Sequence, residues 1–149
     1  MLFRSYRVSF GPAWALETPQ MIVVDTCVVI WLASDPSLLS AAATNAIRTA
    51  RENGGVGISC ISLFELGWLA RNQRIALKTS LEAFLVEVEA RFVILPITAA
   101  VTRIAVEFPS PYPLDPMDRI IGATALDRGV PLVTKDKMIR KAKALPVIW

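Results

Sequence analysis

The sequence predicts an α/β fold: a three-layer α/β/α sandwich around a central, mostly parallel sheet. Three observations carry this. Short β-branched runs such as Ile22-Val23-Val24 read as strands buried on both faces. Stretches with helical spacing alternate with those runs, which implies βαβ units. No internal repeat breaks the alternation, and 149 residues suit one domain with a substantial core.

The elements follow in order. Residues 1–20 show neither strand nor helix periodicity and read as a loose N-terminal extension, with Met21 as the natural start and 21–149 as the folded domain. Ile22 to Val24 is a strand with Asp25 at its tip, and Val28 to Ala33 is a short helix that Asp35-Pro36 ends. Ser37 to Asn53 is a second helix closed by Gly54-Gly55, and Val56 to Ile61 a second strand. Ser62 to Arg74 is a helix with Leu63, Leu66, Leu69 and Ala70 on one stripe. Ser80 to Arg91 is another, and Phe92 to Ile97 a strand that Pro96 helps to end. Thr98 opens a helix to about Phe108, after which Pro109, Pro111 and Pro113 impose an extended loop. Leu114 to Gly129 is a long helix, Val130 to Thr134 a strand, Asp136 to Ala144 a basic helix, and Val147 to Trp149 a last strand.

Composition narrows the chemistry. A hydrophobic content of 54% and a mean hydropathy of +0.48 suggest an apolar core together with apolar surface kept for a partner. No apolar run reaches the length of a membrane span, because Asp25 interrupts the longest candidate. The net charge of +3 permits nucleic acid as a partner without demanding it. The chain has no His, so Cys27 and Cys60 cannot complete a zinc site, and Ser-His-Asp and Cys-His catalysis are excluded. Beside buried strands the two cysteines read as reduced core thiols, which points to the cytoplasm. The remaining chemistry runs on carboxylates, a metal or Lys.

Each acid has a bland reading. Glu65 stands three residues after Ser62, the spacing of a capping box. Asp115 is a helix N-cap before Pro116, and Asp118 a first-turn acid suited to the helix dipole. Asp136 is again an N-cap, whereas Asp25 is spare, since Thr26 can cap the next helix. Capping does not explain the joint placement. In a parallel α/β sheet the strand C-termini and helix N-termini share one edge, so connectivity steers all five carboxylates to one rim. Crowded like charges repel, and a divalent cation resolves this. Oxygen-only ligation is the hard-cation pattern, so Mg²⁺ or Mn²⁺ is expected. Such an ion orients a phosphodiester and lowers the pKa of a bound water, which points to metal-dependent phosphoester hydrolysis.

The residues also resemble a known family. Ile22-Val-Val-Asp25-Thr26 with Val29-Ile-Trp-Leu32, Ser59-Cys-Ile-Ser62 with Phe64-Glu65-Leu66, Asp115-Pro-Met-Asp118-Arg119 leading into Ile121-Gly-Ala-Thr-Ala125, and Leu132-Val-Thr-Lys-Asp136 together resemble a PIN domain. Within that family they are similar to the VapC toxins of bacterial toxin–antitoxin pairs. The resemblance spans residues 21–149. It implies the three-layer sandwich and an acidic cluster of Asp25, Glu65, Asp118 and Asp136 as catalytic residues and metal ligands, with Asp115 as an accessory acid. It further implies a Mg²⁺- or Mn²⁺-dependent endoribonuclease, commonly a homodimer, inhibited by a VapB-type antitoxin. Many relatives carry a His shortly before the Asp-Pro pair, where this chain has Pro113. Within this assignment Asp25 and Asp118 bind the metal directly, and Glu65 and Asp136 directly or through water. Thr26 or Thr134 hydrogen-bonds a ligand oxygen, and Arg119 is accessory.

Surface features complete the expectation. Arg71, Arg74 and Lys78 fall at helical spacing and read first as a solvated face. Lys135, Lys137, Arg140 and Lys141 flank Asp136, where contact with RNA phosphates is more credible. The helix from Val29 to Leu32 and that from Leu63 to Leu69, with Trp68, are apolar nearly all round, which suits a core together with an antitoxin groove or a dimer face. Two other readings compete. A phosphatase of the haloacid dehalogenase type also places an Asp after its first strand, but needs a second acid two residues later, where this chain has Cys27. A non-catalytic PIN-like module that binds RNA or a partner has no reason to bear the acids' repulsion.

Overall fold

The computed structural model describes residues 21–149, so the expectation for residues 1–20 lies outside the described part. The organising strand is β1 (Ile22–Val24), whose three residues are all buried. Its side chains alternate, as a strand's must: Val23 enters one apolar cluster, Ile22 and Val24 the other. β2 (Val56–Ser59) pairs with it on one side, Ile22 opposite Val56, and β4 (Leu132–Val133) on the other, Val24 opposite Val133. β3 (Val93–Leu95) and β5 (Val147–Ile148) form the edges, giving the order β3-β2-β1-β4-β5. Every pairing is parallel, so the described sheet is wholly rather than mostly parallel.

Helices cover both faces. On one lie α1 (Thr26–Ser34), α2 (Ala41–Glu52), α3 (Cys60–Arg71) and α4 (Leu81–Arg91), contributing Val28, Val29, Ile47, Leu66 and Val88 to the core. On the other lie α5 (Ala99–Glu107), α6 (Pro116–Arg128) and α7 (Lys137–Ala142), contributing Val101, Ala105, Ile121 and Ile139. This is the three-layer α/β/α sandwich. Chain order runs outward from β1 to β2 and β3, then resumes on β1's other side at β4. The crevice between β1 and β4 is therefore a topological switch point, the place where open α/β sheets bind ligands.

The main departures from the sequence reading have local reasons. The stretch from Ser37 to Asn53 is not one helix. Asp35 accepts hydrogen bonds from the Ser37 N–H and hydroxyl, which winds a 3₁₀ turn over Pro36–Leu38, and Ser40 caps α2 afresh by accepting from Ala43 N–H. β2 stops at Ser59, not Ile61, because the Ser59 hydroxyl caps α3. Ser62 is therefore inside the helix and Glu65 is not part of a capping box. α3 ends at Arg71, and Gln73 adopts a positive φ of 58°, so Arg71, Arg74 and Lys78 share no helical face. The thiols Cys27 and Cys60 are unpaired, as expected, and partly exposed; Cys27 packs against the core cluster, whereas Cys60 belongs to neither cluster.

Candidate active site

The site is built on the carboxylate that ends β1. Asp25 is itself the N-cap of α1, contrary to the expectation that Thr26 would serve: its Oδ1 accepts from the Thr26 N–H at 2.7 Å. Its Oδ2 accepts from the Thr134 hydroxyl at 2.7 Å, across the β1–β4 crevice. The same Thr134 oxygen accepts the Asp136 N–H at 3.1 Å, so one side chain ties the tip of β1 to the start of α7. Asp25 is only 9% exposed. Burial pushes its carboxyl above the usual range, the bonds from Thr134 and Thr26 pull it back, and the charge of Asp136 adds to the rise.

Glu65 reaches the rim from the second turn of α3. Its Oε2 lies 2.9 Å from the Thr26 hydroxyl, which is also 3.0 Å from the buried Ser62 hydroxyl. A hydroxyl has one proton. With Thr26 donating to ionised Glu65, Ser62 must donate to Thr26. Ser62 and Glu65 stand one turn apart on the same helix face, so the Ser-x-x-Glu spacing has a meaning, though not the capping one. Burial raises the Glu65 carboxyl, the Thr26 bond lowers it, and Asp25 and Asp115 raise it further.

Asp118 arrives from the first turn of α6. Burial, then the charges of Asp25, Asp115, Asp136 and Glu65, push its carboxyl up to about 7. Asp115 caps that helix, its Oδ1 accepting from the Met117 and Asp118 N–H groups at 2.9 and 3.2 Å. Asp136 caps α7 by accepting from Ile139 N–H at 2.9 Å. The Cys27 thiol, beside Asp25, is pushed up to about 12 by burial and by that charge, which makes it an inert thiol.

A family model for the PIN domain matches residues 22–145. The chain belongs to the PIN-domain family. Ribonuclease VapC22 of Mycobacterium tuberculosis is 40% identical to this PIN domain over 119 residues, covering 80% of this chain and 89% of that protein. Among solved structures, VapBC2 from Rickettsia felis, bound to a DNA fragment of its promoter, superposes with a TM-score of 0.66 at 17% identity, covering 85% of this chain and 96% of that one. VapBC-5 from Mycobacterium tuberculosis gives 0.57 at 23% identity, covering 87% and 96%. At those identities the structures speak for the fold.

Within this PIN domain the five acids are neighbours coupled by charge, but among the described residues no three metal-binding side chains are already gathered into a cage. Among the described residues the ion pairs, Arg91–Glu87 and Arg103–Glu107, lie elsewhere, and none involves the acids of the rim. Arg119 does not reach into it. Its Nε donates to Ala105 O at 2.8 Å, Nη2 to Phe108 O at 2.7 Å and Nη1 to Pro113 O at 3.0 Å. The reason is in the sequence. Pro109 has no N–H to complete the last turn of α5, so Ala105 O needs another donor. Arg119 thus pins the 108–115 loop that delivers Asp115 and Asp118. Tyr112, which the sequence reading missed, locks the same loop: it stacks on Phe108 at 4.0 Å and donates to Asp118 O at 2.9 Å. Ser62 was missed too. Lys135, Lys137, Arg140 and Lys141 are all exposed around Asp136.

Proposed function

We propose that this PIN domain is a Mg²⁺- or Mn²⁺-dependent endoribonuclease and the toxin of a toxin–antitoxin pair, acting in the cytoplasm. The observation that carries the reading is the crowded acidic rim: Asp25, Glu65 and Asp118, from three separate elements, are all held above the usual carboxylate range by burial and the charge of neighbouring acids, and none is in an ion pair among the described residues. The donor set is oxygen only, which fits a hard divalent ion. The lack of a ready cage also fits Mg²⁺, which keeps several waters and takes one or two carboxylates plus substrate phosphate oxygens. When bound, such an ion polarises a phosphodiester and lowers the pKa of a water.

The chain's own residues supply position. Asp25, fixed by two hydrogen bonds, and Asp118 are the direct ligands; Glu65 and Asp136 act directly or through water. Thr26 and Thr134 hold the carboxylates Glu65 and Asp25 in place, Asp115 and Arg119 hold the helix start that carries Asp118, and the cations around Asp136 receive RNA phosphates. The 40% identity to a ribonuclease supports the activity, and the likeness to VapBC complexes supports a VapB-type protein partner. An apolar groove of about 820 Å³, with Val29, Ile30, Phe84 and Val88 in its lining, suits a partner segment. Exposed Phe64 and Trp68 on α3 suit the homodimer face.

The test is cleavage of bulk cellular RNA by purified protein with Mg²⁺ or Mn²⁺ against EDTA, beside Asp118→Ala. Cuts that need metal and vanish in the variant are expected. A protein that binds no metal and cuts nothing would be the non-catalytic module instead.

A further inference from the structure

The positive charge of this chain is concentrated in one place. Residues 135–149 hold five cations, Lys135, Lys137, Arg140, Lys141 and Lys143, against the single acid Asp136, a net +4 where the whole chain has +3. The rest of the molecule is therefore slightly negative. Into this basic segment the fold sets two indoles from opposite ends of the domain. Trp31 of α1 and Trp149, which follows β5, meet with ring centroids 5.8 Å apart at an angle of 51°. Lys135, exposed at the rim, places its Nζ 5.4 Å from the Trp31 ring centroid. That lysine lies in the chain between Thr134, which bonds Asp25, and Asp136, so the residue that covers Trp31 is fixed one position from each. On its other side Trp149 lines an open cavity of about 680 Å³ together with Arg140 and Lys143.

We infer that Trp31 and Trp149, with Lys135, form a stacking platform that seats an unpaired base of the RNA beside the scissile phosphate. This rests on the ribonuclease reading above. Packing explains part of the pair, since Trp149 covers the edge of the core that contains Val133. It does not explain why Trp31, outside both core clusters, stands against Trp149 and under the exposed Lys135. A single strand of nucleic acid needs this combination: flat faces for its bases and positive charge for its phosphates. Lys135, the two indoles, and then Arg140 and Lys143 beside Trp149 give the strand a path leading away from Thr134 and Asp136. The phosphate to be cut lies at the acids, the adjoining base on the indoles, and the next phosphates at the cavity. A base that stacks poorly is held poorly, so the platform contributes to the choice of cleavage position.

The experiment uses the full chain carrying Asp118→Asn, so that bound RNA is not cut, with Mg²⁺ and a short unstructured oligoribonucleotide containing one 2-aminopurine. Trp31→Leu and Trp149→Leu, each added to that background, keep apolar packing and remove the stacking face; each should weaken binding about 5- to 150-fold and relieve the quenching of 2-aminopurine. Phenylalanine at either position should retain most of both signals. Lys135→Ala should weaken binding less and lower the salt slope by about one. Placing an abasic site at the stacked nucleotide should cost the same factor in the parent and nothing further in Trp31→Leu. Leucine variants that fold, melt like the parent and bind RNA equally well overturn the platform and leave the ribonuclease reading standing. The same result with loss of a protein partner assigns the face to that partner. A parent protein that binds no RNA overturns both readings.

Discussion

Replacing Arg119 tests how the acids of α6 are held. The guanidinium makes three good hydrogen bonds to main-chain carbonyls, at 2.7, 2.8 and 3.0 Å, and a fourth, to Val106 O, at a marginal 3.5 Å. A bond from a charged donor contributes about 1.5–3 kcal/mol, and a cation at a helix C-terminus about 0.3–1 kcal/mol more. The full sum is not reached, because Arg119 is partly exposed and water can serve some of the released carbonyls. Arg119→Met should therefore cost about 3–4 kcal/mol, a large share of the roughly 5–15 kcal/mol that holds a domain together. Arg119→Lys, a point charge that reaches one or two of the carbonyls, should cost about 1–2 kcal/mol. Urea unfolding measures both, with the slope unchanged if only the native state is affected. Metal-dependent cleavage should fall in the same order, lysine retaining more than methionine, because the loop delivers Asp115 and Asp118. A loss below about 1 kcal/mol for Arg119→Met would refute the reasoning: water would then satisfy the carbonyls, and Tyr112 alone would fix the loop.

Two further predictions follow from the same geometry. In EDTA the folded protein holds the Asp118 proton up to about pH 7, whereas the unfolded chain releases it near 3.8, and Asp25 and Glu65 shift in the same direction. The folded state thus binds more protons across that window, so the stability this provides is complete below it and lost as pH rises towards 7. Thermal melts in EDTA should show this fall, flattened by Asp118→Asn and countered by added Mg²⁺; a melting temperature that rises over the same interval would contradict it. At Gly122, inside α6, an added Cβ would overlap the Tyr112 hydroxyl and lie 2.9 Å from its Cζ. Gly122→Ala gains about 1 kcal/mol of helix propensity but loses more to overpacking and to the displaced Tyr112 bond, a net cost of about 1–3 kcal/mol. Combining it with Tyr112→Phe should cost less than the sum of the two single changes, which a double-mutant cycle reads directly.

Local chemistry made much of this structure readable. Asp115 and Asp136 cap the helices they were expected to cap, Ser80 and Thr98 cap helices expected to begin with them, and Gly129 closes α6 in the left-handed conformation at φ 65°. The β-branched runs became strands, Ile22–Val24 over its full length and the other four shorter than their runs, because strand ends are set by pairing partners rather than by propensity. The acids were brought to one rim by connectivity, as the alternation of elements implied. What sequence could not reveal were links between distant residues. Nothing near Thr26 announces Ser62 and Glu65 as its partners, and nothing near Trp31 announces Trp149. Arg119 had a signal that was available, the prolines that strip α5 of donors. Ser62 had a misleading one, since its spacing to Glu65 fits both a cap and a shared helix face, and Ser59 took the cap.

The bond between Asp25 and Thr134 spans 109 residues and has a consequence for synthesis. β1 is made before β2 and can pair with it once that strand has emerged, but its other edge waits for Leu132 and Val133. Until then Asp25, Glu65 and Asp118 exist on a chain that has neither Thr134 nor Asp136 to complete their surroundings. A chain made only as far as β3 therefore cannot give Asp25 its native setting. The acids acquire it only once Leu132, Val133 and Thr134 have been made and β4 has closed against β1.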